Sequence, residues 1–217
     1  MPRRQPPSKE QSALLPPYPG LPATRIHVPD SAQAFAAASA ALLAAPVLGF
    51  DTESRPSFTA GAPLRGPDLV QLATTGQAWL LQLQHPEALD IARQVLAAPG
   101  ILKVGFGLDN DKRSLPLRLG VEPVSLLDLD QVFARHGFGR NTGVRAAMAL
   151  VLGQQLSKSK KASTSNWATT RLSPSQIHYA ATDAHAPALL WQALPAWESA
   201  QPATVATGRR PRPHLQR

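Results

Sequence analysis

The stretch Val47-Leu48-Gly49-Phe50-Asp51-Thr52-Glu53 decides how the chain is read. An apolar run leads into Asp-x-Glu. In a strand, alternate side chains share a face, so Asp51 and Glu53 point to the same side. Two carboxylates one strand repeat apart repel each other, and a cation between them lets both stay ionised. Oxygen-only ligands favour Mg²⁺ or Mn²⁺. The alternative is a pair of acids at a solvated strand-to-loop exit, and Asp-x-Glu alone does not separate the two.

The surrounding chain narrows the choice. Its 217 residues, 43% hydrophobic, suit one folded domain with tails. There is no cysteine, which excludes disulfides, zinc-thiolate sites and thiol nucleophiles. No apolar core follows the charged start Met1-Pro2-Arg3-Arg4, so a secretory signal is not expected. The longest apolar stretch, 34–50, contains Pro46 and reads as helix, break and strand. An intracellular protein without a membrane span is the expectation. Net charge is +8, which points to an anionic partner. Much of it sits in the ends. Residues 1–22 carry Arg3, Arg4 and Lys9 against Glu10, and residues 201–217 carry Arg209, Arg210, Arg212 and Arg217 with no acid. Both ends are proline-rich without apolar periodicity, so 1–22 and 201–217 are read as disordered tails around a domain at 23–200. A basic tail serves equally as a nucleic-acid arm or a solubilising end.

Within that domain, strands are expected at 25–28, 47–53, 69–73, 78–83, 101–104 and 124–127. The second, third and fourth place a hairpin directly after the acid strand. Helices are expected from Asp30 or Ser31 to about Ala44, from Pro86 to Leu96, after Asp128 to about His136, and over 142–152. Leu108, Leu115 and Leu119 line one face of a further helix, with Pro116 expected to interrupt it. Asp128 reads as a helix N-cap. Gly105-Phe106-Gly107 lacks the rest of a nucleotide fingerprint, and Asp109 with Asp111 lacks the glycine and distal glutamate of a calcium loop.

From Gln131 through Thr182 there is no acidic residue, while Arg135, Arg140, Arg145, Lys158, Lys160, Lys161 and Arg171 all fall inside. Such a run suits a phosphate-contacting surface, with a solvated loop as the alternative. Trp167 is expected in the core, not stacked on a base. Ser173-Pro174-Ser175-Gln176 starts a helix, with a serine cap, proline in the first turn and glutamine three residues on. On that helix Tyr179 and Asp183 stand four apart and share a face. His178 is five residues before Asp183 and lies well around the cylinder, which favours Tyr179 over His178 as Asp183's working neighbour. Pro187 is expected to bend the helix.

Taken in order, Phe50-Asp51-Thr52-Glu53, then Lys103-Val104-Gly105 with Asp111 and Leu115, then Ser165-Asn166-Trp167 and Tyr179-Ala180-Ala181-Thr182-Asp183 resemble the three exonuclease motifs of the DEDD superfamily. The Tyr-x-x-x-Asp spacing is similar to its tyrosine subgroup, the ribonuclease D-like and Werner exonuclease-like domains. The resemblance covers about 24–196 and does not extend to the helical C-terminal domains of ribonuclease D. It implies an α/β, ribonuclease H-like fold: a mixed five-stranded sheet flanked by helices, with the acid strand central. It implies removal of nucleoside monophosphates from a 3′ end by hydrolysis, with two ions of Mg²⁺ or Mn²⁺. By the resemblance, Asp51 bridges the ions, Glu53 and Asp183 hold the one that activates water, Asp111 serves the other, and Tyr179 orients the water.

That chemistry fits the residues. Two divalent ions about 4 Å apart stabilise the attacking and departing oxygens of a phosphodiester, and four carboxylates offset their charge. Nucleic acid is then the partner, with Lys158, Lys160, Lys161, Arg140 and Arg145 as candidate phosphate contacts. Nothing in the sequence commits to a 2′-hydroxyl, so DNA and RNA both stand. The competing reading is a catalytically silent binding module on the same fold.

Overall fold

The computed structural model describes residues 4–56, 65–139, 142–157 and 159–201. Six strands form one sheet: β1 (Ile26–His27), β2 (Val47–Glu53), β3 (Leu69–Ala73), β4 (Ala78–Gln82), β5 (Leu102–Gly105) and β6 (Leu126–Asp128). They lie in the order β1-β4-β3-β2-β5-β6. The acid strand β2 is interior, antiparallel to β3 on one side and parallel to β5 on the other. The sheet is mixed as expected but has six strands where the resemblance implied five: the two-residue β1 joins at an edge, parallel to β4.

Alternation along β2 divides the core in two. Leu48 and Phe50 are fully buried with Val70, Leu72 and Leu81, beneath α2 (Ala32–Leu43), α3 (Pro86–Ala97) and α4 (Asp109–Leu119). Each such side chain contributes roughly 1.5–3 kcal/mol through burial. The other face of β3 and β4 meets α8 (Pro174–Ser199), whose Ala180, Ala181 and Ala184 pack on Leu69, Ala73 and Leu80. A third cluster sets Val104 of β5 against Leu190 and Leu194 of α8 and Met148 of α6 (Gly143–Leu152), with α5 (Leu129–Arg135) supplying Phe133.

Gly49 is the reason α8 sits so close. A Cβ there would stand 1.9 Å from the carbonyl oxygen of Ala184 and 2.9 Å from the amide nitrogen of Ala188. The helix backbone therefore rests directly on β2, two residues before Asp51 and one after Asp183. The serine–glutamine cap at Ser173 and Gln176 is present as read. Helix α8 continues as one element past both Pro187 and Pro195.

Two further expectations differ from the structure. Pro116 does not interrupt its helix: α4 runs through it, losing one backbone bond, and ends at Gly120, whose left-handed backbone lets its N–H return to the Pro116 carbonyl at 2.8 Å. Residues 4–22, read as a disordered tail, lie along the domain instead. Lys9–Ser12 forms a one-turn helix, α1, and Gln155 bonds Pro16 and Tyr18 as a strand would. Arg4 donates its backbone N–H to Gly137 and covers the Phe138 ring. The Tyr18 hydroxyl meets His185 Nδ1 on α8. Proline-rich chain needs few backbone partners, and these surfaces supply the ones it has, which composition could not show. The basic segment 202–217 lies outside the described residues.

Candidate active site

The C-terminal half of β2 presents Asp51 and Glu53 on the face toward α8. Both are half-buried, and Asp51 Oδ1 accepts the N–H of Thr52 at 2.9 Å. Across the sheet interface stands Asp183, 4% exposed, with Tyr179 one helical turn before it. Burial raises the Tyr179 phenol above its ordinary pKa. The negative charges of Asp183, Glu53 and Asp51 raise it further, as does a hydrogen bond to Asp183. Tyr179 thus stays protonated, in the field of three carboxylates drawn from β2 and α8. His178 is exposed, with its ring over Gly20.

Asp111 approaches from the opposite side of the sheet. It occupies the first turn of α4, half-buried. Thr52, between the two acids of β2, points to that side, and its Oγ1 donates to Asp111 Oδ1. Burial raises the Asp111 carboxyl above the usual carboxylate range; the Thr52 and backbone hydrogen bonds oppose this, and the charge of Asp128 adds to it. Asp128 itself, at the end of β6, accepts backbone N–H groups from Gly107 (3.2 Å), Leu108 (3.1 Å) and Asp130 (2.9 Å). It caps α5 as the sequence suggested and also anchors the turn from β5 into α4. Asp109 is exposed and lines an open cleft of about 710 Å³ with Asp128 and Asp130.

Oxygen-only donors of this kind suit Mg²⁺ or Mn²⁺. Among the described residues no group of three or more His, Asp or Glu side chains stands arranged to hold a metal ion. What speaks for a cation is the field itself, since the charges of three carboxylates bear on one phenol.

Other residues here escaped the sequence reading. Gln71 pairs across the sheet with Asp51 and shares its face; it is fully buried, and neither amide atom has a hydrogen-bond partner among the described residues. Its parity with the acids in Leu-Val-Gln-Leu-Ala was the available signal. Gln176, beyond its capping bond, donates from Nε2 to Ser165 Oγ and the Asn166 carbonyl, each at 3.1 Å, which ties Ser165-Asn166-Trp167 to the root of α8. Trp167 is in the core as expected, 1% exposed, its ring 5.9 Å from that of Tyr179. Lys103 is fully buried and caps α3, donating from Nζ to Val95 (3.2 Å) and Ala98 (2.9 Å) carbonyls. Burial pushes it down to about 8.

Of the basic candidates, Arg145 is exposed on α6 and Lys161 on α7 (Lys160–Ser163). Arg140, Lys158 and the Lys160 side chain lie outside the described residues. No helix among the described residues is long and apolar enough to cross a membrane.

The mouse bifunctional 3′-5′ exonuclease/ATP-dependent helicase WRN is 28% identical over 153 residues, 68% of this chain and 11% of that protein. Among solved structures, the EXO domain of Aedes aegypti Nibbler superposes with a TM-score of 0.68 at 22% identity, covering 82% of this chain and 91% of that one. Trypanosoma brucei RNase D in complex with RNA U12 gives 0.67 at 23% identity, covering 78% and 62%. These structures share the fold. The chain spans only a small part of its WRN relative. A family model described as 3′-5′ exonuclease matches residues 26–196, from β1 to the last turn of α8, and takes in every acid of the site: the chain belongs to the 3′-5′ exonuclease family.

Proposed function

We propose that this chain is an active, divalent-metal-dependent 3′-to-5′ exonuclease that hydrolyses the terminal phosphodiester of a nucleic acid and releases a nucleoside 5′-monophosphate. The observation that carries the reading is the placement of Tyr179 and Asp183 one turn apart on α8, seated through Gly49 against the strand that carries Asp51 and Glu53. Asp51, Glu53, Asp111 and Asp183 are the residues that would hold two ions of Mg²⁺ or Mn²⁺. When bound, the ions supply the charge that draws in the phosphate, activates water and stabilises the leaving oxygen.

The chain's own residues do the rest. Tyr179 keeps its own proton and donates it in a hydrogen bond to the Asp183 carboxylate, which leaves a phenol lone pair to accept a hydrogen bond from the attacking water. It therefore orients water without serving as the base. The water oxygen forms the new bond to phosphorus as the bond to the 3′ oxygen breaks. That oxygen leaves on the remaining strand and takes a proton from solvent to become a 3′-hydroxyl, while the attacking water gives up one proton to solvent. Arg140, Arg145, Lys158, Lys160 and Lys161 are the proposed contacts to the upstream backbone.

Matched single-stranded DNA, recessed duplex DNA and single-stranded RNA, each labelled at the 5′ end and incubated with Mg²⁺ or Mn²⁺, test this directly. The expected result is a ladder shortening from the 3′ end with mononucleotide product. Asp51→Ala and Asp183→Ala should each lose cleavage while retaining the fold, because removing a carboxylate relieves repulsion in the metal-free protein. Cleavage by Asp51→Ala near the wild-type rate rejects the mechanism. No cleavage of any substrate with either metal leaves the silent binding module.

A further inference from the structure

We infer that Thr52, the middle residue of Asp51-Thr52-Glu53, is a positioning residue that sets the Asp111 carboxylate for metal binding. The inference rests on the function proposed above.

Strand parity is the starting point. Asp51 and Glu53 face α8 with Gly49, whereas Thr52 shares the face of Leu48 and Phe50, which is covered by α2, α3 and α4. Asp111 belongs to α4 and so lies on the Thr52 side. For its carboxylate to serve a centre shared with Asp51, it has to be held at the rim of β2. Thr52 is the member of the motif on that rim, and its hydroxyl donates to Asp111 Oδ1. A carboxylate has about four acceptor sites, so one donor on Oδ1 fixes the group and leaves Oδ2 available to a cation.

The backbone end of the same lever is also fixed. Asp128 accepts the N–H groups of Gly107 and Leu108, immediately before α4 begins. The turn that leads into α4 and the side chain of Asp111 are thus restrained from two different strands, β6 and β2. Removing a hydrogen bond to a metal ligand typically weakens metal affinity about 10–100-fold. Without the Thr52 donor, a half-buried carboxylate in an α4 turn pays rotamer entropy on binding the ion.

Thr52→Val removes the hydroxyl while keeping the β-branched shape that suits β2. Thr52→Ser restores the donor without the methyl. Mn²⁺ binding to the full chain, followed by loss of the free-ion electron paramagnetic resonance signal, should show two ions on wild type. Thr52→Val should keep one at wild-type strength and bind the second about 10–100-fold more weakly. Thr52→Ser should return to within about threefold of wild type. Cleavage by Thr52→Val should recover toward the wild-type rate as Mn²⁺ is raised, and the metal-free melting temperature should be close to wild type. If the methyl of Val disturbs β2, Thr52→Ala carries the same comparison against Ser.

Wild-type cleavage together with unchanged binding of both ions by Thr52→Val overturns the positioning role and leaves the exonuclease reading intact. Equal losses in Val and Ser also overturn it, since they point to packing. A wild type that neither binds Mn²⁺ nor cuts overturns both readings.

Discussion

Two neighbours on α8 show what a single position decides. His178 and Tyr179 both stand near the spacing at which a residue meets Asp183, yet only Tyr179 is turned toward the acids, while His178 is exposed. Tyr179→Phe is therefore expected to lower the cleavage rate on the order of 10–1000-fold with little change in binding, and His178→Ala to stay within a fewfold. Single-turnover rates with a labelled oligonucleotide measure both. An inactive His178→Ala beside a near-normal Tyr179→Phe would mean that the water-orienting role belongs to His178. The tyrosine's raised pKa also means that it imposes no titration on the rate near neutrality. Helix periodicity made this choice legible in the sequence. Gln71 was not legible in the same way, because a glutamine in an apolar strand reads as a solvent-facing position until β4 and α8 close over it.

At the scale of the element, the site depends on how closely α8 approaches β2. That interface has no side chain in it at Gly49, so Gly49→Ala forces the helix outward or the strand aside. Overpacking of this kind costs about 1–3 kcal/mol or more. The variant is expected to lose stability in urea denaturation and to lose cleavage more than stability alone explains, since Asp183 moves away from Asp51. Wild-type stability and cleavage in Gly49→Ala would show that the helix has slack. Strand β5 carries a second such dependency at Lys103. Its folded pKa, about 8, lies below the ordinary 10.5, so the unfolded chain binds more protons between those values. Stability contributed by this group therefore rises from pH 8 toward 10.5 and is lost as pH falls through 8. Lys103→Met removes that slope along with two bonds to carbonyls at the C-terminal end of α3, those of Val95 and Ala98. The difference in unfolding free energy between wild type and Lys103→Met should grow as pH is raised from 7.5 to 10. A difference independent of pH would mean that Lys103 keeps its proton throughout. Pro116 carries the opposite lesson, because α4 tolerates one missing backbone bond when Leu115 and Leu119 are buried on either side of it.

For the whole molecule, the charge distribution sets how a polyanion is met. The net +8 and the acid-free segment 131–182 suggest backbone contacts independent of base identity. Changing Lys158, Lys160 and Lys161 together to Ala should weaken binding across sequences and flatten its salt dependence. The slope should fall by about 0.7–0.9 for each phosphate no longer neutralised, with a smaller change in rate at saturating substrate. Fluorescence anisotropy over a salt series reads the slope, and an unchanged slope places these lysines in solvent. Deleting residues 202–217 is the parallel measurement for the arginine-rich end. The sequence by itself determined the alternation of β2, the hairpin behind it, the capped start of α8 and the ordered spacing of the exonuclease motifs. Each of these is a local pattern, written in the period of a strand or a helix or in the chemistry of a cap. Only the tertiary structure decided that Thr52 reaches Asp111, that Asp128 anchors the turn before α4, that Gln71 is sealed beside Asp51, and that residues 4–22 lie against the domain. Those pairings join positions from about 20 to more than 130 residues apart. They form because burial brings distant surfaces together and leaves their polar groups to find one another, and no local period records which ones will meet.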